Sequence, residues 1–441
     1  MKRKNISPTL CVSLAILSSF LLSASNSFAA GPHEQVLYQF QGGSDGDLPM
    51  GNLIADKAGN LYGTTEYGGA SFYGTVFELS PPAVSGGAWT HVILYTFNNT
   101  GDGGRPTDGL IFDSKGNLYG TTGDSEAGGY GEVFRLSPPA TPGSPWTETV
   151  LYSFGGKTDG SYPRAGLLLD EQGRLYGATE TSVFRLSPPS QSGGAWKFDR
   201  LHKFASGSPD GFSSQSGLVR DKQGNLFGTT LWGGFEGNPN CGSLGCGTVF
   251  EVSPPAAGGA WSEQVIHTFG VSADDGFDPE AGLALDANGN LYGTTYSGGT
   301  PGGGIAFQLA PPTQAGGEWT ETVIHNFSYS STDGAAPVAT MVLDTAGNLY
   351  GTTLFGGNAC YFNSTPYGCG VVFKLSPPAA GNTAWNETVL EFFRRGVGTA
   401  HQPAASVLLG KHGSIYGTTV YGGVYNCYEG NGCGTVYRLA P

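Results

Sequence analysis

One heptapeptide, Gly-Asn-Leu-Tyr-Gly-Thr-Thr, recurs seven times in the 441 residues, starting at Gly59, Gly116, Gly173, Gly224, Gly289, Gly347 and Gly413. The third copy reads GRLYGAT, the fourth GNLFGTT and the last GSIYGTT. Successive copies lie 57, 57, 51, 65, 58 and 66 residues apart. A period of this length means one supersecondary unit repeated, each unit burying its apolar face against its neighbours. Composition then decides what the unit is made of. The chain holds 74 glycines, and each would cost about 1 kcal/mol in the body of a helix. No Gly-X-Y period is present, which excludes collagen. A hydrophobic share of 39%, with 12% aromatic, supplies a core that a disordered chain lacks. The unit is therefore a small antiparallel sheet.

Turn chemistry delimits four strands in each unit. Strand A is an apolar stretch such as Gly166 to Asp170, and a Glu-Gln-Gly turn passes it into strand B, Leu175 to Thr179. Strand C, Val133 to Ser137, stops at Pro138-Pro139, because proline has no amide to give to a ladder. Strand D runs from Trp146 to Phe154, and six units keep that tryptophan eight residues before the phenylalanine: Trp89, Trp146, Trp196, Trp261, Trp319 and Trp385. The last unit ends after strand C, whereas residues 33–40 form a strand D with no A, B or C before it. The N-terminal strand is expected to complete the seventh sheet, closing a ring and removing the exposed edges of an open array. The expected fold is all-β: a seven-bladed β-propeller of four-stranded antiparallel blades, one domain over residues 31–441.

Met1 to Lys4 carry three positive charges, Leu10 to Ala24 are mostly apolar, and Ser27-Phe28-Ala29 fits a small-x-small cleavage site. Residues 1–30 read as a secretory signal peptide that takes Cys11 with it. The formal net charge of −14 becomes more negative on its removal, and no basic cluster offsets it. Nucleic acid and anionic membrane surfaces are excluded as partners on that ground. A secreted monomer without membrane insertion is expected.

Blade topology puts the A-to-B and C-to-D turns on one face, and the B-to-C and D-to-A connections on the other. The second face carries nearly all the length variation, which is where function is placed on a fixed scaffold. An Asp-Gly lies fourteen residues before the heptapeptide glycine, at Asp45, Asp102, Asp159, Asp210, Asp275 and Asp333, with Thr399-Ala400 in the seventh unit. Six carboxylates around a channel mouth would suit Ca²⁺, and the other reading is plain turn chemistry. The six mature cysteines fall in three B-to-C loops as Cys241/Cys246, Cys360/Cys369 and Cys427/Cys433. They read as three disulfides, with a zinc site as the alternative. Aromatic residues at the end of strand B (Trp232, Tyr421) and in the loops (Tyr361, Phe362, Tyr367, Tyr425, Tyr428) are the candidates for stacking on a sugar ring. His202, His267 and His325 occupy the strand D position of Tyr38, Tyr95 and Tyr152, which assigns them a structural role. No phosphate-binding loop is present.

The Asp-x-x-Gly-Asn-Leu-Tyr-Gly-Thr-Thr core, the Gly-Thr-Val-Phe-x-Leu-Ser-Pro-Pro segment and the Trp-x-Glu-x-Val-Leu-Tyr-x-Phe segment together resemble the bacterial GloVer tandem repeats. The resemblance covers nearly all of the mature chain and implies no activity. That family is known also for varied sorting anchors, and the absence of such a tail before Pro441 implies a freely released form. The expected function is a secreted binding scaffold for an extracellular glycan or protein, with no cofactor required, a reading that rests on the near equivalence of the blades. The alternative is a hydrolase or lyase acting on polysaccharide or a lactone, with its active site at the channel mouth.

Overall fold

Seven four-stranded antiparallel sheets follow one another along the chain, each hydrogen-bonded in the order A-B-C-D. The computed structural model describes residues 33–440 except 85, 124–128, 142, 157, 192, 206–209, 235–236, 257, 273, 315, 358–359, 363–364, 397, 425–426 and 428–430. Residues 1–30, read from the sequence as a signal peptide, lie outside the described residues. Blade 1 consists of Ile54–Ala55, Leu61–Thr65, Thr75–Ser80 and Thr90–Thr96. Blade 7 takes Leu408–Leu409, Ile415–Thr419 and Thr435–Ala440 from the end of the chain, and its strand D, His33–Gln39, from the beginning. His33 pairs with Ala440 and Gln39 with Thr435, so the ring closes as expected. Strand A is shorter than the sequence implies: of Gly166 to Asp170, only Leu168–Leu169 pairs with strand B. Asp170 already belongs to the A-to-B turn.

Each residue of the heptapeptide has a task that explains its recurrence. In blade 1 the Asp56 carboxylate accepts the amides of Gly59 at 2.8 Å and Asn60 at 2.9 Å, the Asn60 side-chain amide at 2.8 Å, and the Tyr62 hydroxyl at 3.3 Å. Asp286 does the same with Asn288, Asn290 and Tyr292. In blade 3 Arg174 replaces the asparagine and pairs with Asp170 at 2.6 Å. The glycine of strand B lies under the strand C aromatic ring, and a methyl on Gly63 would come within 2.7 Å of Phe77 Cζ. The first threonine reaches the next blade: Thr64 donates to the Asp108 carbonyl at 3.0 Å, Thr229 to Ala281 at 2.9 Å and Thr352 to Ala405 at 3.0 Å. The second holds the turn that leaves strand B, as Thr65 does by donating to the Tyr67 carbonyl at 2.8 Å.

The core lies between neighbouring blades. Tyr62, Val76 and Phe97 of blade 1 pack with Leu110, Leu118, Phe134 and Leu136 of blade 2 in one buried cluster, and Trp146 closes over it. Strand alternation then decides what faces the channel. In strand A, Leu53, Leu110, Leu167 and Leu218 are buried in the blades, so the residues on either side of each point towards the centre of the ring.

Candidate functional site at the channel mouth

The residue that precedes the strand A proline has a left-handed backbone in all seven blades. Leu48, Arg105, Tyr162, Ser213, Asp278, Ala336 and Gln402 have φ between 53° and 63°, although Ser213 is followed by serine rather than proline. For a residue with a Cβ this conformation costs on the order of 1–3 kcal/mol and persists where surrounding structure enforces it. Two backbone bonds enforce it here. The amide donates to the carbonyl two residues before strand C of the preceding blade, as from Leu48 to Cys433 (3.2 Å), Asp278 to Cys246 (3.1 Å) and Gln402 to Cys369 (2.8 Å). In six blades the carbonyl accepts from the residue after strand B of its own blade, as from Glu66 to Leu48 (3.0 Å) and Tyr296 to Asp278 (2.9 Å), whereas in blade 3 Glu180 donates to Ser161 (3.1 Å). The three disulfides, Cys241–Cys246, Cys360–Cys369 and Cys427–Cys433, are those expected from the sequence. Each therefore anchors a carbonyl that fixes the mouth of the next blade.

These segments surround a cavity of about 450 Å³ to which every blade contributes. Its wall has two unlike halves. One is polar: Asn52, Glu66, Asp108, Arg164, Gln215 and Glu280. The other is mainly apolar, with Val338, Leu354, Phe355, Ala404, Val420 and Tyr421 beside Thr340, Gln402 and Ser406. Burial pushes the Glu66 carboxyl up, against the Tyr67 hydrogen bond and the positive charges of Arg105 and Arg164. Arg105 also lies over the Tyr67 ring, 5.1 Å from its centroid. Burial raises Asp108 too, against hydrogen bonds from the Gly109 and Gly166 amides. Glu280 is pushed up to about 7 by burial and then by the neighbouring Asp278. The mouth thus combines an arginine, three carboxyls raised by burial, of which Glu280 reaches about 7, and an aromatic flank.

The sequence singled out none of the polar residues of this wall. Arg164, Gln215 and Glu280 stand directly after the strand A proline position, where blade follows blade with Met50, Thr107, Arg164, Gln215, Glu280, Val338 and Ala404. A comparison of the units for what differs, rather than for what recurs, would have found them. The expectation of near-equivalent blades fails here for that reason.

The six aspartates are placed differently from the ring around the mouth that the sequence implied. Each turns back onto strand D of its own connection. Asp102 accepts from the Tyr95 hydroxyl at 2.9 Å and the Asn98 amide at 3.1 Å. Asp159 does so from Tyr152 and Gly155 at 2.9 and 2.7 Å, and Asp45 from Tyr38 and Gln41 at 2.6 and 2.8 Å. In the next three blades histidine replaces tyrosine, and a glutamate from the following strand D joins. His202, Asp210 and Glu263, then His267, Asp275 and Glu321, then His325, Asp333 and Glu387 each offer ligand atoms within 4.8 Å of one another. These groups could each hold a cation, one per seam between blades. The structure does not bring the six aspartates into one site, and none lines the mouth cavity. The recurrence of Tyr-Asp pairs at the other seams explains why histidine is tolerated at this strand D position. Burial drives His267 down to about 4.

The aromatic candidates divide. Tyr421 lines the cavity, and the His401 ring lies beside it at 6.0 Å. Tyr367, 39% exposed, packs on Phe355 at 5.5 Å and on Tyr329 at 6.3 Å. Trp232 pairs with Phe212 at 5.3 Å in a short ribbon at blade 4. Tyr361 and Phe362 form a two-residue strand against Thr365–Pro366. Tyr425 and Tyr428 lie outside the described residues.

Fold and cavity together define a seven-bladed propeller with an asymmetric channel mouth. The chain belongs to the family described as the Gloeobacter/Verrucomicrobia repeat, which matches residues 27–238 and 180–437. No curated protein matches it in sequence. Among solved structures it is similar to virginiamycin B lyase from Staphylococcus aureus, with 12% identity, coverage of 93% of this chain and 99% of that one, and a TM-score of 0.51. A putative oxidoreductase (glucose dehydrogenase) from Thermus thermophilus shares 14% identity over 93% and 100% of the two chains, with a TM-score of 0.40. A gluconolactonase from Xanthomonas campestris shares 15% over 75% and 83%, with a TM-score of 0.37. At these identities the likeness is one of fold. Among the described residues no helix is long and apolar enough to cross a membrane.

Proposed function

We propose that this protein is a secreted binding propeller whose ligand is a small hydroxylated molecule of sugar size, seated in the channel mouth. The observation that carries the reading is the 450 Å³ cavity with one polar and one mainly apolar wall. A pyranose presents hydroxyls around its edge and C–H groups on its faces, which match the Arg164, Glu66 and Asp108 side and the Phe355 and Tyr421 side respectively. Secretion is supported by three disulfides, which form and persist in oxidising compartments. The leader read over residues 1–30 agrees with that placement. No Ca²⁺ is needed for this reading.

A second reading, a hydrolase or lyase acting on a saccharide or lactone, is favoured by one observation. The Glu280 carboxyl, pushed up to about 7, is able both to give and to take a proton at neutral pH. Calorimetric titration of the purified protein with monosaccharides, sugar acids and sugar lactones tests both readings. Saturable binding without product supports the scaffold, and product formation lost in Glu280→Gln supports the enzyme. Absence of binding across the panel would contradict both.

A further inference from the structure

Below the mouth the channel changes character. A second cavity of about 520 Å³ shares Asn52, Asp108, Gly217, Thr340 and Ser406 with the first, so the two meet at these residues. The shared residues form a polar belt. Asn52 donates to Asp108 at 3.1 Å and accepts the Ser406 amide at 2.7 Å, while the Thr340 hydroxyl accepts the Gly282 amide at 3.0 Å. Beneath the belt the lining is aliphatic. Ile54, Ile111, Val219, Val342 and Leu408 line the lower cavity. All five occupy the strand A position opposite the heptapeptide aromatic residue. Leu168 and Ala284 hold that position in the remaining blades.

A water inside a protein needs two to four polar partners, and below the belt the side chains supply none. The lower cavity is therefore a poor container for ordered water and a good one for hydrocarbon. We infer that the ligand is an amphiphile: a small hydroxylated or lactone head in the mouth, and an alkyl or acyl chain threaded past the belt into the aliphatic tube. This inference rests on the proposed mouth site and adds the tail.

Its test is the affinity of two graded series, n-alkyl β-glucosides and alkyl-substituted γ-lactones, from one to eight carbons and below their micelle concentrations. Burial of a methylene contributes about 0.8 kcal/mol, so affinity is expected to rise about fourfold per added carbon. In Val219→Thr/Val342→Thr the rise per carbon is expected to shrink, while methyl glucoside binding stays as in the parent. Binding of the one-carbon members with affinity flat along the series would overturn the tail and leave the mouth site standing. Failure of both series to bind would overturn the two together. An unchanged chain-length dependence in the double variant would place the tail elsewhere.

Discussion

The outer seams between blades and the inner mouth of the channel are built by the same repeats under opposite rules. At the seams one arrangement returns: a tyrosine or histidine of strand D, an aspartate of the following connection, and a residue of the next strand D. Where the aspartate is missing, at Thr399, the seam is still bridged, because Glu34 of the N-terminal strand accepts the Ala400 amide at 3.3 Å. At the mouth almost nothing returns except the backbone. Seven left-handed residues hold one geometry, and the side chains that follow them around the cavity include an arginine, a glutamate, a glutamine and a valine. Repetition marks what the ring requires, and variation on a fixed backbone marks what a ligand requires.

The comparison breaks first at the repeated positions. Gly63→Ala would drive a methyl onto Phe77, and a loss of about 3 kcal/mol is expected from overpacking at this site. Denaturant unfolding measures it. Replacing both Cys360 and Cys369 by serine is expected to cost about 2–3 kcal/mol in the chain-entropy account of loop closure. The same change frees the carbonyl that receives the Gln402 amide, so limited proteolysis should open the blade 6 loop before the ring unfolds.

A smaller effect follows from the seam carboxyls. Glu34 is pushed up to about 7 by burial and then by Glu391, and burial does the same for Glu148 and Glu321. A carboxyl raised in the folded chain binds its proton more tightly there than when unfolded. Its contribution is present in full below about 4.5 and is lost as the pH climbs through about 7. Thermal stability is therefore expected to fall between pH 5 and pH 8, and Glu34→Gln should flatten part of that fall. A Tm profile identical to that of the parent would remove Glu34 from the account.

Much of the ring was legible in the sequence because each structural task is performed six or seven times. The Asp-x-x-Gly-Asn turn, the glycine beneath Phe77, the double proline and the unpaired N-terminal strand D each signal their role through recurrence. The disulfides were legible for a related reason, since each second cysteine sits at one point of the repeat. The mouth was not. Arg164 and Asp108 each occur once at their position, and Glu66 shares its position only with Glu180. They carry no motif and meet only when the ring closes. The aspartates were open to two readings, a cation site and plain turn chemistry, and the hydroxyls of Tyr38, Tyr95 and Tyr152 that donate to Asp45, Asp102 and Asp159 fit the second.

The most direct measurement is a crossed one on two variants, Arg164→Ala at the mouth and Tyr95→Phe at a seam, each followed by ligand titration and thermal unfolding. Arg164→Ala is expected to weaken binding of the best saccharide or lactone at least tenfold, a loss of about 1.4 kcal/mol, with thermal stability close to that of the parent. Tyr95→Phe strips the hydroxyl from Asp102 and is expected to cost about 1 kcal/mol of stability with affinity unchanged. A destabilised Arg164→Ala that binds as the parent does, beside a stable Tyr95→Phe that no longer binds, would contradict the division between scaffold and site.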